Sequence, residues 1–513
     1  MIESSECAAT QIEWLTQKLA PWPNAIFPDL VLAKSANNPA TALIYHDEII
    51  THDELAMRVD EAAQVLVAEL GLGLGDAVVL KGENSAVFVI AYLAVHRAGG
   101  LAVPVNTKLA VPELAFQIKD SGAVLVLCDE DIDVEVPHLT FAGLLGARAQ
   151  ATLPKVSPDA PATVFYTSGT TGTPKGVIHT HRTLISGAFQ NQRGWDYERE
   201  GSVTLAMTPL FHIAAHSWFY PVLASGGSLV IDSYRTERAL ELISKHRVDG
   251  VGAVPSMLLM MLDHPNLSAY DLTSVQNIRF GASSIPPDRI KELRKAFPNA
   301  ALLHGMGQTE SGGTISVLAD VFALSKLGSA GTAIPGVAVR LVDDSGNIVP
   351  RGTPGEVLAQ GPQIMIGYLG RPDATAETLS GGWLHTGDIG IMDDDGMICL
   401  VDRKKDMIIR GGENIYSTEL EHHFLAHPDV IDCAVIGLPH PLLQEDVGAV
   451  IVGPRGPTEA FREALIAHGK QGLASFKVPS HWFSAEALPR TATGKVQKQK
   501  LREAALAGEL TEL

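Results

Sequence analysis

At 513 residues the chain is too long for one hydrophobic core, and two or more domains are expected. Its 46% hydrophobic content and 48 glycines describe a packed α/β enzyme and exclude a disordered or fibrous chain. Thirty-nine basic against 58 acidic residues give a net charge of −19, which argues against a general nucleic-acid binder, so any polyanionic substrate must be met by local groups.

The longest apolar runs, such as residues 87–95, stop well short of the roughly 20 residues of a membrane helix, so no membrane span is expected. The N-terminal stretch Met1-Ile2-Glu3-Ser4-Ser5-Glu6-Cys7 lacks the basic and apolar regions of a signal peptide, and a cytoplasmic location is expected. Cys7, Cys128, Cys399 and Cys433 form neither a CxxC pair nor a disulfide pattern and read as reduced and structural.

In chain order, residues 41–45 and 48–50 read as a hairpin turning at His46 and Asp47, after which Thr51 caps a helix beginning near Asp53. Strands at 76–80, 102–105 and 123–127 are spaced by helices at 85–97 and from about Pro112. That alternation implies a mostly parallel, helix-covered sheet. The strand from Thr163 opens into Thr167-Ser168-Gly169-Thr170-Thr171-Gly172-Thr173-Pro174-Lys175-Gly176, a loop whose glycines and hydroxyls can turn several donors on one anion while Lys175 adds a point charge. It is not a P-loop of the NTPase type, because Pro174 stands where that pattern needs glycine and Gly176 where it needs Ser or Thr.

Residues 205–216 carry His212 and His216 in apolar company, where a histidine is more often core than ligand. A strand at 250–254 runs into a helix rich in Met257, Met260 and Met261, read as core. The strand at 277–280 ends in a turn of small residues, and 301–311 ends in Gly307-Gln308-Thr309-Glu310. Residues 337–342 and 355–359 are strand-like and suggest a small β-barrel or distorted sheet. Further on come Gly382-Trp383-Leu384-His385-Thr386-Gly387-Asp388, the charge run Asp402-Arg403-Lys404-Lys405-Asp406, the glycine-rich 410–417, and the basic 488–498.

The segment 163–176 resembles, almost letter for letter, the phosphate loop of the adenylate-forming superfamily, which holds acyl-CoA synthetases, aryl-CoA ligases, peptide-synthetase adenylation domains and luciferases. The later segments are similar to that family's other motifs in the same order. The resemblance implies a large N-terminal domain over residues 1–402 and a small mobile α+β lid over 403–513 that carries the catalytic lysine and the CoA tunnel. It also implies that Thr167, Ser168, Gly169, Thr170, Thr171, Gly172 and Lys175 hold the ATP phosphates, with Gly281, Ala282, Ser283, Met306, Gly307 and Gln308 around the nucleotide. Thr309 would meet the α-phosphate and Glu310 bind Mg2+, a hard cation suited to one carboxylate plus phosphate oxygens. Asp388 and Arg403 would hold the ribose or phosphate, Lys405 serve as hinge, and Lys495 reach the carboxylate and α-phosphate. Met306 departs from the family, standing where an aromatic ring is usual, and Ser417 stands where proline is usual.

For the acyl pocket the resemblance implies Phe211, His212, Ile213, Ala214, Ala253, His304 and Gly305, with His212 as a gating and catalytic candidate. Gly411, Gly412, Phe476 and Lys477 are implied to line the path of CoA. His212 also stands where amino-acid-activating relatives place an aspartate, and an unpaired buried ammonium would cost several kcal/mol, which disfavours an α-amino acid. The expected activity is ATP-dependent carboxylate-CoA ligation through an acyl-AMP, using ATP, Mg2+ and coenzyme A on an aromatic or medium-chain aliphatic acid. The competing readings are an adenylating enzyme that delivers to a carrier-protein phosphopantetheine, and a non-catalytic nucleotide-binding protein. Oligomeric state is left open, a homodimer included.

Overall fold

The computed structural model describes residues 25–167, 174–194, 201–281, 283, 285–453, 458–490 and 496–513. The expected hairpin forms: Thr41–Tyr45 and Glu48–Thr51 pair antiparallel around His46, which takes a φ of 55°. Thr51 then caps helix His52–Ala68, its Oγ1 accepting the Glu54 N–H (3.4 Å) while Glu54 Oε2 accepts the Thr51 N–H (2.9 Å). This reciprocal box satisfies two donors that the first helical turn would otherwise leave open.

Among the described residues the strands form four sheets. One is seven-stranded, in the order Gly367–Tyr368, Lys175–Thr180, Pro161–Thr167, Leu101–Pro104, Ala77–Lys81, Leu125–Cys128, His138–Thr140. Its centre is parallel, with helices Ala86–Arg97 and Val111–Ser121 as crossovers, as the alternation in the sequence requires. Helix Ala86–Arg97 is buried from Phe88 through His96, which accounts for its nearly continuous apolar sequence.

The nine-stranded sheet runs Thr332–Ala333, Ser316–Leu318, Ala301–Met306, Asn277–Gly281, Gly250–Ala253, Val203–Ala206, Ser228–Ile231, Thr41–Tyr45, Glu48–Thr51. From Ala301–Met306 to Thr41–Tyr45 every pairing is parallel. Leu240, Leu258, Ile278, Phe297 and Leu302 fill one core against it, each contributing roughly 1.5–3 kcal/mol by burial. Met257 and Met261 join that core, whereas Met260 of the same helix faces outward, 46% exposed. The region expected to be a small barrel or distorted sheet is a four-stranded sheet of Ala338–Val342, Gly355–Gln360, Leu384–Met392 and Ile398–Arg403.

The chain divides into two compact units. The first comprises the described residues up to Arg340 together with Leu358–Thr386 and Gly396–Ile398, and the second Leu341–Val357, Gly387–Asp395 and Cys399–Leu513. In the second, Asp432–His440 and Gln444–Val452 pair antiparallel and pack with helices Ser417–Leu425 and Glu459–Gly472 around Phe424, Val435, Val447, Leu465 and Trp482. Cys128, Cys399 and Cys433 are free thiols. No helix among the described residues is long and apolar enough to cross a membrane.

Candidate active site

Thr167 and Lys175 face each other as the last pair of an antiparallel hairpin, with the Thr167 hydroxyl donating to the Lys175 carbonyl at 3.5 Å. The residues on either side of the candidate phosphate loop are therefore strand neighbours in one sheet. The sequence indicated the entering strand but not the returning one, Lys175–Thr180. Gly176 fits because a Cβ there would come 2.7 Å from Val164 Cγ1. Ser168, Gly169, Thr170, Thr171, Gly172, Ala282 and Lys495 lie outside the described residues.

The returning strand also pairs with Gly367–Tyr368, placing the Tyr368 ring 5.0 Å from Lys175 Nζ. The same tyrosine donates its hydroxyl hydrogen to Glu310 Oε1 at 2.9 Å. Burial and the charge of Glu310 push the phenol above its ordinary range, so it stays a donor. Glu310 is fixed through its backbone as well, for its carbonyl accepts the Met365 N–H (2.9 Å) and the Thr309 carbonyl accepts His179 Nε2–H (2.8 Å). Burial pulls His179 down to about 4, so it is a neutral donor at pH 7. Gly307 permits the tight turn before Thr309: a Cβ there would lie 1.6 Å from the Gly313 carbonyl oxygen. The Gln308 N–H is taken by Ser311 Oγ at 3.0 Å.

Sequence reasoning missed Tyr368 and His179. Each acts across a long chain separation, 58 positions from Tyr368 to Glu310 and 130 from His179 to Thr309, and neither lies in a segment singled out for its chemistry. Glu310 suits Mg2+, because Tyr368 occupies Oε1 and no described residue donates to Oε2. No cluster of three His, Cys, Asp or Glu able to hold a metal occurs among the described residues, so phosphate oxygens would have to complete the shell.

The acyl-pocket and adenine candidates Ala253, Gly281, His304 and Gly305 lie at the ends of three neighbouring parallel strands. Ala253 pairs with Phe280, Phe280 with His304, and Gly281 with Gly305. A Cβ on Gly281 would meet the Gly305 carbonyl oxygen at 2.6 Å, so this pair of glycines lets the strand ends approach. In open α/β sheets ligands bind outside such carboxyl ends. His304 stacks on Phe280 with ring centroids 5.0 Å apart and 12° between planes, and its Nδ1 donates to the Ser329 carbonyl at 3.2 Å. Burial lowers its pKa. Ala253, Met306 and Ile213 are buried, Ser283 is exposed, and Phe211, His212 and Ala214 are half-buried. His212 Nδ1 accepts the Ala214 N–H at 3.2 Å. His216 is a core residue: it is 2% exposed and its Nε2 faces the Tyr92 hydroxyl at 2.7 Å.

In the second unit Asp388 Oδ1 pairs with Arg403 Nε at 2.8 Å, joining the two ribose candidates. Lys404 is tied to Glu356 at 3.1 Å, and the exposed Lys405 follows it. Gly411 and Gly412 form the two-residue turn between Ile408–Arg410 and Glu413–Ile415, with φ of 60° and 88°. A hairpin turn with positive φ at both central residues explains the glycine pair without a ligand. Arg410 nevertheless brings this turn to the other CoA candidates, since its Nη1 donates to the Phe476 carbonyl at 3.2 Å. Lys477 is paired with Glu419 at 2.7 Å.

The Thr167–Lys175 hairpin, the Glu310 carboxylate held by Tyr368 and the three parallel strand ends all belong to the first compact unit. The sequence profile of the AMP-binding enzymes matches residues 32–369, and that of the AMP-binding enzyme C-terminal domain matches 419–495. The chain belongs to the AMP-binding enzyme family. It is similar to a feruloyl-CoA synthase from Amycolatopsis sp, 35% identical over 497 residues that cover 95% of this chain and 99% of that protein. It is 34% identical to the long-chain-fatty-acid–CoA ligase FadD13 of Mycobacterium tuberculosis, over 89% of this chain and 93% of the relative. Among solved structures, o-succinylbenzoate CoA synthetase (MenE) of Bacillus subtilis in complex with its acyl-adenylate superposes with a TM-score of 0.84 at 30% identity, covering 93% of this chain and 98% of that one. In this AMP-binding enzyme Tyr368 touches both Lys175, whose Nζ lies 5.0 Å from its ring centroid, and Glu310, which accepts its hydroxyl hydrogen.

Proposed function

We propose that the protein is an AMP-forming acid–CoA ligase whose substrate is an aromatic or medium-chain aliphatic carboxylic acid. The observation that carries this reading is the Lys175–Tyr368–Glu310 arrangement on the phosphate hairpin. A carboxylate is a poor electrophile and must gain a leaving group before a thiol can attack it. The acid's oxygen attacks the α-phosphorus of ATP, the bond to the β-phosphate oxygen breaks, and pyrophosphate leaves with that electron pair. Lys175 and the loop from Thr167 steady the departing pyrophosphate, while Thr309 and Lys495 face the charge growing at the α-phosphate. Glu310 and phosphate oxygens would hold Mg2+, which when bound would supply charge neutralisation there. Asp388 and Arg403 hold the ribose.

In the second step the CoA thiolate attacks the acyl carbon and AMP leaves. Rotation of the segment from residue 403 onward about Lys405 exchanges Lys495 for the Gly411–Gly412 turn, so one cleft serves both steps. The small strand-end residues Ala253, Gly281 and Gly305, beside the stacked Phe280 and His304, together with the candidates Ile213 and Ala214, favour a flat or slender acyl group.

The test is pyrophosphate release with Mg-ATP across aromatic and short- to medium-chain aliphatic acids, with and without CoA, for wild type and Lys495→Ala. Release that needs acid, is sustained by CoA and collapses in the variant is expected. Release indifferent to CoA points to a carrier-protein acceptor, and ATP binding without release for any acid overturns the ligase reading.

A further inference from the structure

We propose that Ser417 and Lys498 are positioning residues that latch the hinge, tying Asp402 before the pivot to the helix that follows Lys495 after it. The inference deepens the ligase reading and rests on it, through the roles of Lys405 and Lys495.

All the residues involved lie in the second compact unit. Asp402 is 7% exposed and its carboxylate is fully engaged. It accepts the Ser417 hydroxyl at 2.8 Å on Oδ2, the Thr418 hydroxyl at 3.2 Å on Oδ1, and the backbone N–H groups of Arg403 (2.7 Å) and Thr418 (3.4 Å). Ser417 and Thr418 open the helix Ser417–Leu425, so a carboxylate from outside that helix serves as its cap. Having given its one hydrogen to Asp402, Ser417 Oγ accepts Lys498 Nζ at 2.7 Å. Lys498 also pairs with Glu421 Oε1 at 2.7 Å, and the same oxygen accepts the Val435 N–H at 2.8 Å. One ammonium therefore serves Glu421 directly and Asp402 through the Ser417 hydroxyl. Burial raises the Glu421 carboxyl and Lys498 opposes that rise, which makes the lysine hard to withdraw.

The chain positions give the network its consequence. Asp402 precedes Lys405, whereas Ser417, Glu421 and Lys498 follow it, and Lys498 opens the helix Lys498–Leu506 just beyond Lys495. Arg403 and Lys404 are anchored to Asp388 and Glu356, so the strand before the pivot is fixed. A rotation at Lys405 must carry Ser417 and Lys498 away from Asp402, breaking charge-assisted bonds made only in one orientation. The latch favours that orientation, so its removal shifts the balance between the two half-reactions. A side chain without a hydroxyl at position 417 cannot make the bridge.

The experiment measures ATP–pyrophosphate exchange and the CoA-dependent consumption of preformed acyl-adenylate, with the acid that wild type activates, in wild type, Ser417→Ala, Ser417→Thr and Lys498→Arg. The expected result is a change of about five- to tenfold in the ratio of the two rates for Ser417→Ala, with KM for ATP within about twofold and the ratio restored in Ser417→Thr. Lys498→Arg, which keeps the charge and changes the reach, is expected to shift the ratio in the same direction, and it carries the test if Ser417→Ala does not fold. An unchanged ratio, or equal losses in both half-reactions, overturns the latch while leaving the ligase reading intact. A wild type with neither half-reaction defeats the ligase reading, and the latch with it.

Discussion

Tyr368 reaches both charged ends of the candidate ATP site at once, donating to Glu310 at 2.9 Å while its ring lies 5.0 Å from Lys175 Nζ. Tyr368→Phe keeps the ring and removes the hydrogen bond. Pyrophosphate release is expected to fall about tenfold or more, with the Mg2+ concentration for half-maximal rate rising, since a bond to a charged group is at stake. Tyr368→Leu also removes the ring face from the ammonium, and a further loss of about two- to fivefold is expected. Equal rates in wild type and Tyr368→Phe would show that Glu310 is oriented by its backbone alone.

Gly307→Ala probes the turn that delivers Thr309. The added methyl would lie 1.6 Å from the Gly313 carbonyl oxygen, a backbone atom that cannot step aside by changing rotamer. A stability loss of about 2 kcal/mol or more is expected in urea denaturation, together with loss of ATP-dependent activity. An unchanged midpoint would contradict the packing described here.

Asp388→Asn bears on both binding and stability. The ion pair with Arg403 is open on the arginine side, 35% accessible, but closed on the aspartate side, 11%, so a stability loss of about 1–2 kcal/mol is expected. Calorimetric titration is expected to show ATP binding weakened about tenfold, because the amide cannot accept from two ribose hydroxyls as a carboxylate can. Unaltered ATP affinity would remove Asp388 from the nucleotide site.

Acid should destabilise the fold through its buried histidines. Burial holds His179 and His181 down to about 4 and pulls His96 and His216 well below the ordinary histidine range. In the unfolded chain each titrates near about 6.5. Between these values the unfolded state binds protons that the folded state refuses, so this contribution is complete above about pH 6.5 and is lost as pH falls towards 4. With four such groups the slope should approach about 5 kcal/mol per pH unit, measured as urea midpoints from pH 7.5 to 5. His179→Gln, which retains a donor for the Thr309 carbonyl, should remove about a quarter of that slope.

The chemistry carried on consecutive residues was legible in the sequence. Thr51 reads as a cap from its local letters and caps His52–Ala68, whereas Thr309, Glu310, Asp388, Arg403 and the Thr167–Lys175 frame are picked out by the resemblance, and the structure pairs Thr167 with Lys175 and Asp388 with Arg403. What escaped is what the chain assembles from distant pieces. Tyr368 becomes informative only when its strand pairs with the one that follows the phosphate loop. Ser417, which stands where proline is usual in the family, gains its meaning from a hydroxyl placed between Asp402 and Lys498. Gly411 and Gly412 show the reverse limit, since a two-residue turn already demands them and their letters cannot separate turn geometry from a passing ligand.

The place of the first hairpin bears on how the protein is made. Thr41–Tyr45 has no neighbour other than its own hairpin partner until Ser228–Ile231 exists, and the Thr41 carbonyl accepts the Ser228 hydroxyl at 2.7 Å from 187 positions away. At roughly 5–20 residues per second on the ribosome, the hairpin waits about ten to forty seconds for its second neighbour. During that interval the strands of the other sheet emerge and can pair among themselves. The nine-stranded sheet thus starts with this hairpin and gains its next strands only after six strands of the seven-stranded sheet have emerged, and the unpaired edge of Thr41–Tyr45 is the surface a nascent-chain chaperone would have to cover.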